Sequence, residues 1–238
     1  MKKYIGTKQI EAEPMTMGEA YERGLLQVGR VPDAEYAKRM GYHVKYADGY
    51  ESWSPAEPFE EAYKLADTSL DRMQIEAEEV NGRYVKLAAF IDSGKMDEVV
   101  NDMYNKCLLE MQCCTMFDYI RLLDTRIQRM QGSDGAKVIK MNFGMAIMAL
   151  KAGFPIRRSG WNGKGLMVFK QVPAHIDSDI IPKMQSIPQS AKEALILKGK
   201  GFIDYTSQCL IYNENTGRAD SWVPSISDVF AEDWEIVE

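Results

Sequence analysis

One stretch in the last third of the chain has the residue types that binding an anion requires. Residues 157–165 read RRSGWNGKG. The glycines let backbone N–H groups approach an anion closely, and the arginines and lysine supply positive charge for phosphate. A tryptophan beside flexible backbone can stack on a nucleobase, and Asn162 carries both a donor and an acceptor for a base or ribose edge. This combination indicates a nucleotide as the ligand.

The same stretch also fits a tight hairpin whose Trp161 is buried, and the residues alone leave both interpretations open. It is not the dinucleotide fingerprint, because a short strand does not lead it into a helix. The Gly-x-x-x-x-Gly-Lys-Ser/Thr loop of the NTPases is also absent from the stretch.

Groups that could carry out catalysis are few in residues 141–238. His175 has no serine or cysteine motif beside it. Asp228 and Asp233 could serve as an acid and a base, but each also fits a helix cap or a turn. The signatures of zinc deaminases and of the nucleophile elbow are missing. We therefore expect a binding protein rather than an enzyme, with no cofactor.

The sequence offers no set of ligands for a structural zinc ion. It has four cysteines and two histidines, without a Cys-x-x-Cys pair. The neighbours Cys113 and Cys114 could bind a soft metal ion, but we expect them to be small core residues in a reducing compartment.

The elements around the stretch predict an α+β domain with an antiparallel sheet over residues 141–238. Asn142 is placed to cap a helix that runs to Leu150. The predicted strands are Leu166 to Val172, Phe202 to Tyr212, Ala219 to Val223 and Asp233 to Val237. A hairpin loop at 213–217 joins the middle two strands, and Asp228 to Ala231 forms a helical turn.

Residues 66–130 predict two long helices that form an antiparallel hairpin. Asp92-Ser93-Gly94 ends the first helix, and each helix has an apolar seam with steps of three and four. The first seam contains Leu70, Met73, Ala77, Val80, Tyr84, Leu87 and Ile91. The second seam contains Leu109, Cys113, Met116, Ile120, Leu123, Ile127 and Met130. Two helices bury only one stripe each, so we expect a further partner, most simply a second copy of the chain.

The complete prediction is an α+β protein in four parts. Residues 1–65 form a small β-rich module with a hairpin around Asp48-Gly49, and residues 66–130 form the helical hairpin. Residues 131–140 form a linker, and residues 141–238 form the α+β domain. In the module, Trp53 is as suited to filling the core as to binding a ligand.

Composition excludes several classes of protein. The chain has 238 residues and a net charge of −6, which disfavours general binding to DNA or RNA polymers. No apolar run reaches the roughly 18 residues that span a membrane. The first residues, MKKYIGTKQIEAEP, lack the apolar core of a secretory signal. We therefore expect a cytoplasmic protein.

The motifs of residues 141–238 resemble those of the second Thoeris anti-defence family of phage proteins. The order of three motifs carries the resemblance: Met141-Asn142-Phe143-Gly144 at the start, Gly160-Trp161-Asn162-Gly163-Lys164-Gly165 in the middle, and Ala231-x-Asp233-Trp234 at the end. Residues 173–201 match the family only loosely.

The resemblance implies a molecular sponge that holds cyclic ADP-ribose isomers, the signals made by bacterial TIR-domain proteins, without cleaving them. It also admits cyclic di- or trinucleotides of the CBASS type as ligands at separate sites, and it implies a homotetramer with nucleotide sites between subunits. On these grounds Trp161 stacks on a base or ribose, and Ser225 and Asp228 complete the site or, alternatively, only cap a helical turn. The expected ligand-binding residues are Phe143, Arg158, Trp161, Asn162, Gly163, Lys164, Trp222, Ser225 and Asp228.

The first 130 residues resemble other phage sequences. Residues 4–8 and 49–55, YIGTK and GYESWSP, resemble a small N-terminal module of phage proteins from gut bacteria, and the helical block resembles another small phage family. Neither resemblance implies a role. Two alternatives to a sponge stay open: an enzyme that degrades or modifies a cyclic nucleotide, and a phage structural protein.

Overall fold

A computed structural model of the protein describes residues 8–237. The chain forms two compact units that divide between Ile75 and Glu76. The YIGT part of the first N-terminal motif, residues 4–7, lies outside the described residues. The division into four parts stays a prediction.

The N-terminal unit contains an antiparallel sheet in the order β1-β2-β3. Its elements are β1 (Ile10–Thr16), α1 (Met17–Glu22), a 3₁₀ turn (Tyr36–Lys38), β2 (Met40–Tyr46), β3 (Glu51–Pro55) and α2 (Ala56–Ala62). The hairpin predicted around Asp48-Gly49 joins β2 to β3, and Gly49 takes the positive φ of 84° that the turn needs. Thr16 and Glu19 form a capping box that fixes the start of α1.

Trp53 fills the core of this unit. It packs with Met15, Met17 and Ala20, and its indole N–H donates to the carbonyl oxygen of Met15 at 2.9 Å. A Cβ atom at Gly41 would lie 2.4 Å from the Trp53 ring, so only glycine allows the ring to lie there. Of the two roles left open for Trp53, the structure shows the core role.

His43 links the three strands through its ring nitrogens. Nδ1 lies 3.2 Å from a carboxylate oxygen of Glu13 in β1, and Nε2 lies 2.9 Å from one of Glu51 in β3. The hydrogen bond with Glu13, followed by that with Glu51, raises the pKa of His43 above 6.5. The protonated ring therefore stabilises this sheet.

The raised pKa of His43 predicts that the N-terminal unit becomes less stable as the pH rises. The contribution of His43 is complete below the unfolded pKa of about 6.5 and is lost as the pH rises through the higher folded pKa. We expect His43→Gln to lower the melting temperature of the N-terminal unit at about pH 6 and to have little effect at about pH 9. A difference between the two proteins that is constant over this range would contradict the role of the charge.

The two long helices are present where the heptad pattern predicts them. They are α3 (Ser69–Asp92) and α5 (Met103–Met130), with a short α4 (Lys95–Val99) between them, and Gly94 takes a φ of 73° at the break. The Tyr84 ring in α3 contacts the Phe117 ring in α5 at 5.6 Å, and the Tyr119 hydroxyl donates to Glu76. All predicted seam residues are buried or half-buried except Met130, at the end of α5.

The expectation for the cysteines is half wrong. Cys113 is half-buried on the seam, but Cys114 is exposed, because adjacent residues of a helix point about 100° apart. Among the described residues, no three His, Cys, Asp or Glu side chains are arranged to hold a metal ion.

The segment from Gln131 to Lys140 contains no helix or strand, and side chains of α5 hold it in place. Arg129 donates to the carbonyl oxygen of Ala136 at 2.8 Å, and Arg121 donates to that of Lys140 at 3.0 Å. The Asn142 side chain then donates to Asp118 in α5 at 2.6 Å. The hairpin and the following domain are therefore connected through a fixed segment.

The C-terminal domain has a five-stranded antiparallel sheet in the order β10-β4-β5-β8-β9. Its elements are α6 (Phe143–Lys151), β4 (Ile156–Arg158), β5 (Leu166–Lys170), β6 (Ala174–Ile176), a 3₁₀ turn (Ile181–Lys183), α7 (Gln189–Leu197), β7 (Ile203–Tyr205), β8 (Cys209–Asn213), β9 (Arg218–Trp222), α8 (Ile226–Val229) and β10 (Trp234–Ile236). Asn142 caps α6 through its side-chain oxygen, as predicted.

One strand predicted in this domain is wrong in extent. Phe202 to Tyr212 forms two strands rather than one, because β7 pairs with β6 in a separate two-stranded sheet and β8 pairs with β5 and β9.

The main core of the domain lies between α6 and the sheet. Its members are Met141, Met145, Ala146, Ala149, Leu150, Ile156, Val168, Ala231 and Trp234. Across residues 8–237, no helix is both long and apolar enough to cross a membrane.

Candidate functional site

The RRSGWNGKG stretch forms a turn between β4 and β5, which we call the β4–β5 turn (residues 159–165). Its glycines are closely packed. A Cβ atom at Gly160 would lie 2.5 Å from an oxygen of Asp233, and one at Gly163 would lie 2.6 Å from Leu166. Gly165 has a φ of 78°, which side chains disfavour. A larger residue at position 160 or 163 would therefore displace Asp233 or Leu166, and one at position 165 would strain the backbone.

Asp233, just before β10, holds the start of the turn. Its carboxylate accepts hydrogen bonds from the Nε of Arg158 at 2.7 Å and from the backbone N–H of Gly160 at 2.8 Å. Its backbone oxygen accepts from the N–H of Ser159 at 3.0 Å. Burial acts to raise the pKa of Asp233, but the bond from Arg158 and that from Gly160 outweigh it and lower the pKa.

Asp228 in α8 holds the middle of the turn. One carboxylate oxygen accepts from Nη1 of Arg158 at 2.9 Å and from the indole N–H of Trp161 at 3.1 Å. The other accepts from the backbone N–H of Ser225 at 3.0 Å and from its hydroxyl at 2.8 Å. A carboxylate has about four acceptor positions, and the protein's own donors occupy all four positions of Asp228.

These contacts hold Asp228 in its charged form. Burial acts to raise its pKa, but the hydrogen bonds from Ser225, Arg158 and Trp161 are stronger together and lower the pKa to about 2. Asp228 is 7% exposed and is the one buried charged residue in the described part of the chain. Since Asp228 and Asp233 both stay ionised and paired with Arg158, neither is placed as a general acid.

Trp161 is part surface and part core. Its ring is half-buried and meets the Trp234 ring edge to face, with centroids 5.4 Å apart. Trp234 is fully buried and also contacts Phe143 and Trp222, and its indole N–H donates to the backbone oxygen of Asp228 at 3.1 Å. The orientation of Trp161 is therefore set by one hydrogen bond and one ring contact.

The tip of the turn is exposed and rests on the β8–β9 loop. The Asn215 side chain donates to the backbone oxygen of Lys164 at 2.6 Å. The backbone N–H of Glu214 donates to the backbone oxygen of Gly165 at 2.8 Å. Asn162, Gly163 and Lys164 are exposed. Within residues 8–237, the Lys164 ammonium has no carboxylate partner, so its charge is available to an anion.

The structure brings most of the predicted site residues into one network. Arg158, Trp161, Ser225 and Asp228 are joined by hydrogen bonds, and Phe143 and Trp222 reach the network through Trp234. Ser225 caps α8, which is the alternative role left open for it, and Asp228 completes this capping box. That these residues touch a ligand stays a prediction.

The second arginine of the motif has a simpler role. Arg157 pairs with Glu235 across β4 and β10 at 2.6 Å, and both side chains are partly exposed. Arg158, in contrast, pairs with Asp228 and Asp233, and 18% of its side chain is exposed.

Two important residues were not among the predicted site residues. The sequence marks Asp233 as a candidate acid, base, cap or turn residue and as part of a family motif, and it marks Trp234 as part of that motif alone. The signal that could have found them is their position after a capping box, since the turn must rest on the strand that follows it. His175 in β6 pairs with Asp204 in β7 at 2.5 Å and with Asp177, just after β6, at 3.2 Å, so both of its ring nitrogens are engaged.

Comparison with known proteins identifies relatives of two parts of the chain. Residues 141–237 match the family model of the Thoeris anti-defense 2-like domain. Thoeris anti-defense 2 of Bacillus phage SP01 is 34% identical over 103 residues, which cover 41% of this chain and 96% of that protein. Residues 67–129, the helical hairpin, match a family model described as Sequestin.

Proposed function

The chain belongs to the Thoeris anti-defense 2 family, and from this premise we propose that it blocks Thoeris by binding and holding a cyclic ADP-ribose-type signal without cleaving it. An anti-Thoeris role for a phage protein follows from the family. Our proposal adds that the protein acts by sequestering a nucleotide, and the β4–β5 turn supports this addition.

The observation that carries the proposal is the fixed geometry of an exposed turn that presents the ammonium of Lys164. Asp228 and Asp233 hold Arg158 and the backbone of the turn, so the Trp161 ring is already in place before a ligand arrives. A site that is ordered in advance loses less entropy on binding. A sponge must compete with a receptor, and a dissociation constant of roughly nanomolar order, about −12 kcal/mol, is the affinity that this task requires.

The roles within the site follow from exposure. The half-buried Trp161 ring stacks on a base or ribose, and Asn162 bonds to polar edges of the ligand. Lys164, with the backbone N–H groups at the exposed tip of the turn, faces a phosphate. Asp228 has no acceptor position left for a ligand. It therefore positions Arg158 and Trp161 instead of touching the nucleotide.

The same network supports binding without turnover. Hydrolysis or transfer of a phosphate would need a free base, a nucleophile or a metal ion near the ligand. The carboxylates that hold the turn, Asp228 and Asp233, are occupied by the protein's own donors, so neither is free to act as such a base.

An exposed apolar patch beside the site supports a homo-oligomer. Val223, Ile226 and Phe230 lie on and around α8 and are 81%, 80% and 81% exposed. Apolar side chains grouped in this way typically mark an interface. We propose a tetramer in which this patch meets a second copy close to the ligand, and we place the protein in the cytoplasm of the infected bacterium.

The proposal is tested by capture of unchanged nucleotide. The full chain is incubated with cyclic ADP-ribose isomers and with cyclic di- and trinucleotides, filtered and denatured, and the released ligand is identified by chromatography. We expect one class of ligand to be recovered intact at stoichiometric amounts. Loss of ligand at substoichiometric protein would instead support an enzyme, and no capture from the whole panel would support a structural protein.

Trp161→Ala tests the site itself. We expect it to weaken binding by ~1–3 kcal/mol, about 5–150-fold, because the stacking surface is lost. Isothermal titration of the captured ligand measures the loss. Phe154→Ala, which removes an exposed ring outside the turn, is the matched control and should bind as the wild type does. A folded Trp161→Ala protein with normal affinity would place the ligand elsewhere.

A further inference from the structure

One aspartate of α5 fixes the residue that begins the C-terminal domain. The Asp118 carboxylate accepts a hydrogen bond from the side-chain N–H of Asn142 at 2.6 Å. The side-chain oxygen of Asn142 accepts from the backbone N–H of Met145 at 2.9 Å and so caps α6. Because the oxygen and the nitrogen of the amide have different partners, only one orientation of the Asn142 side chain satisfies both bonds. Asp118 therefore determines how α6 is capped.

Arg121, one turn further along α5, holds the backbone just before this cap. Its guanidinium lies 3.7 Å from the other oxygen of Asp118 and donates to the carbonyl oxygen of Lys140 at 3.0 Å. Lys140 has a φ of 55° and is the one residue other than glycine with a positive φ in the described part of the chain. A side chain disfavours this conformation, so the backbone at Lys140 depends on the contacts around it.

Met141 lies between these two held residues and pairs with the last strand of the domain. Its backbone N–H donates to the carbonyl oxygen of Trp234 at 2.9 Å, and the backbone N–H of Trp234 donates to the carbonyl oxygen of Met141 at 3.1 Å. The Met141 side chain is buried in the core of the domain. A shift of residues 140–142 would therefore move the start of β10, where Trp234 lies.

Trp234 carries the connection from β10 to the β4–β5 turn. Its ring lies 5.7 Å from the Phe143 ring and 5.4 Å from the Trp161 ring, measured between centroids. Asp233, the residue before it, accepts from the backbone N–H of Gly160 at 2.8 Å. Since protein cores are closely packed, a displacement at the start of α6 is transmitted to the turn.

We propose that Asp118 is a positioning residue for the nucleotide site, because through Asn142 it sets the position of Trp234 and, with it, that of the Trp161 ring. The identity of the ligand rests on the proposed function. The new element is that α5, a helix of the hairpin, contributes to the affinity of the C-terminal domain without contacting the ligand. By linkage, a nucleotide bound at the turn also stabilises the bond between Asp118 and Asn142.

Hydrogen exchange of the full chain tests this connection without a ligand. We expect Asp118→Ala to speed the exchange of backbone N–H groups in the β4–β5 turn at least about threefold, because the support of the turn through β10 is loosened. A residue that only anchors the hairpin would leave the turn unchanged. Asp124→Ala removes an exposed aspartate from the same helix and is the matched control, with exchange as in the wild type.

Asn142→Ser breaks the same connection from the other side. Serine is a good N-cap residue, so α6 keeps a capping oxygen, but the shorter side chain lacks the amide N–H that Asp118 accepts. This variant should change the exchange of the turn as Asp118→Ala does, and it decides the question if Asp118→Ala fails to fold. Asp118→Asn keeps an acceptor oxygen for Asn142 and should restore the exchange of the wild type.

Isothermal titration with cyclic ADP-ribose isomers measures the effect on the site. Asp118→Ala and Asn142→Ser should each weaken binding by about fivefold, and the double variant should be no weaker than either, because the two residues act through one bond. Asp118→Asn and Asp124→Ala should bind as the wild type does.

Three results overturn the proposal. These are unchanged exchange of the turn in both Asp118→Ala and Asn142→Ser, wild-type affinity in both, or losses that add in the double variant. A wild-type chain that captures no nucleotide would reject the proposed function alone, since the exchange experiment still decides whether Asp118 positions the turn.

Discussion

Asp228→Ala is expected to lower the free energy of unfolding of the C-terminal domain by about 3 kcal/mol. Removal of the carboxylate leaves the Arg158 guanidinium with one of its two carboxylate partners, and it leaves the Trp161 indole N–H and the backbone N–H of Ser225 without their acceptor. Loss of one partner of a buried pair costs about 3–5 kcal/mol, and Asp233 retains part of the contact to Arg158. Denaturation followed by tryptophan fluorescence measures the change.

Asp220→Ala is the matched control because it also removes an aspartate paired with an arginine. Asp220 bonds to Arg218 at 2.7 Å, but both side chains are at least half exposed. Exposed pairs contribute about 0–1 kcal/mol, so this variant should unfold almost as the wild type does. Equal losses in the two variants would show that burial of Asp228 is unimportant.

The pKa of Asp228 determines where the contribution is lost. The folded pKa of about 2 lies below the ordinary value of 3.8, so the contribution is complete above pH 4 and disappears as the pH falls toward 2. The free energy of unfolding of the Asp228→Ala protein should therefore fall less steeply below pH 4 than that of the wild type. The variant should also bind its ligand about tenfold more weakly, because the Trp161 ring is no longer held by its N–H.

Trp234→Ala is expected to be the most destabilising single change in the domain, at about 3–5 kcal/mol. Trp234 is fully buried, it contacts the rings of Phe143, Trp161 and Trp222, and it connects β10 to α8 through its N–H. Its removal leaves a large cavity beneath the β4–β5 turn. We expect loss of the cooperative unfolding transition of this domain in thermal denaturation at 37 °C or above.

Two further variants separate the contributions of Trp234. Trp234→Phe keeps an aromatic ring but removes the N–H, so its loss should be intermediate. Trp222→Ala removes a half-buried ring at the edge of the same cluster and should cost less than Trp234→Ala. The central role of Trp234 would be wrong if Trp222→Ala were the more damaging change.

The helices were predictable from sequence because their signal repeats many times. Seven residues at steps of three and four define a face even if one of them is atypical, and Gly94 marks the break between them. Short strands have no such repetition. The segment Phe202 to Tyr212 is apolar enough for one strand, and only the tertiary structure determines that its two halves pair with different partners.

The candidate site was predictable in its parts but not in its connections. The glycines, Arg158 and Trp161 stand next to each other in the sequence, and the spacing of Ser225 and Asp228 suggests a capping box. The sequence carries no sign that Asp228 accepts from residues 67 and 70 positions earlier. Such a network depends on where β4, α8 and β10 meet, which is decided by packing around Trp234.

The fixed segment between the hairpin and the C-terminal domain has a consequence for how such genes recombine. Arg121 and Asp118 of α5 hold the backbone at Lys140 and the side chain of Asn142, and Asn142 also begins α6. A crossover that exchanges one module must therefore inherit these contacts or leave the first turn of α6 poorly supported. Breakpoints placed beyond these contacts on either side would keep the start of α6 intact.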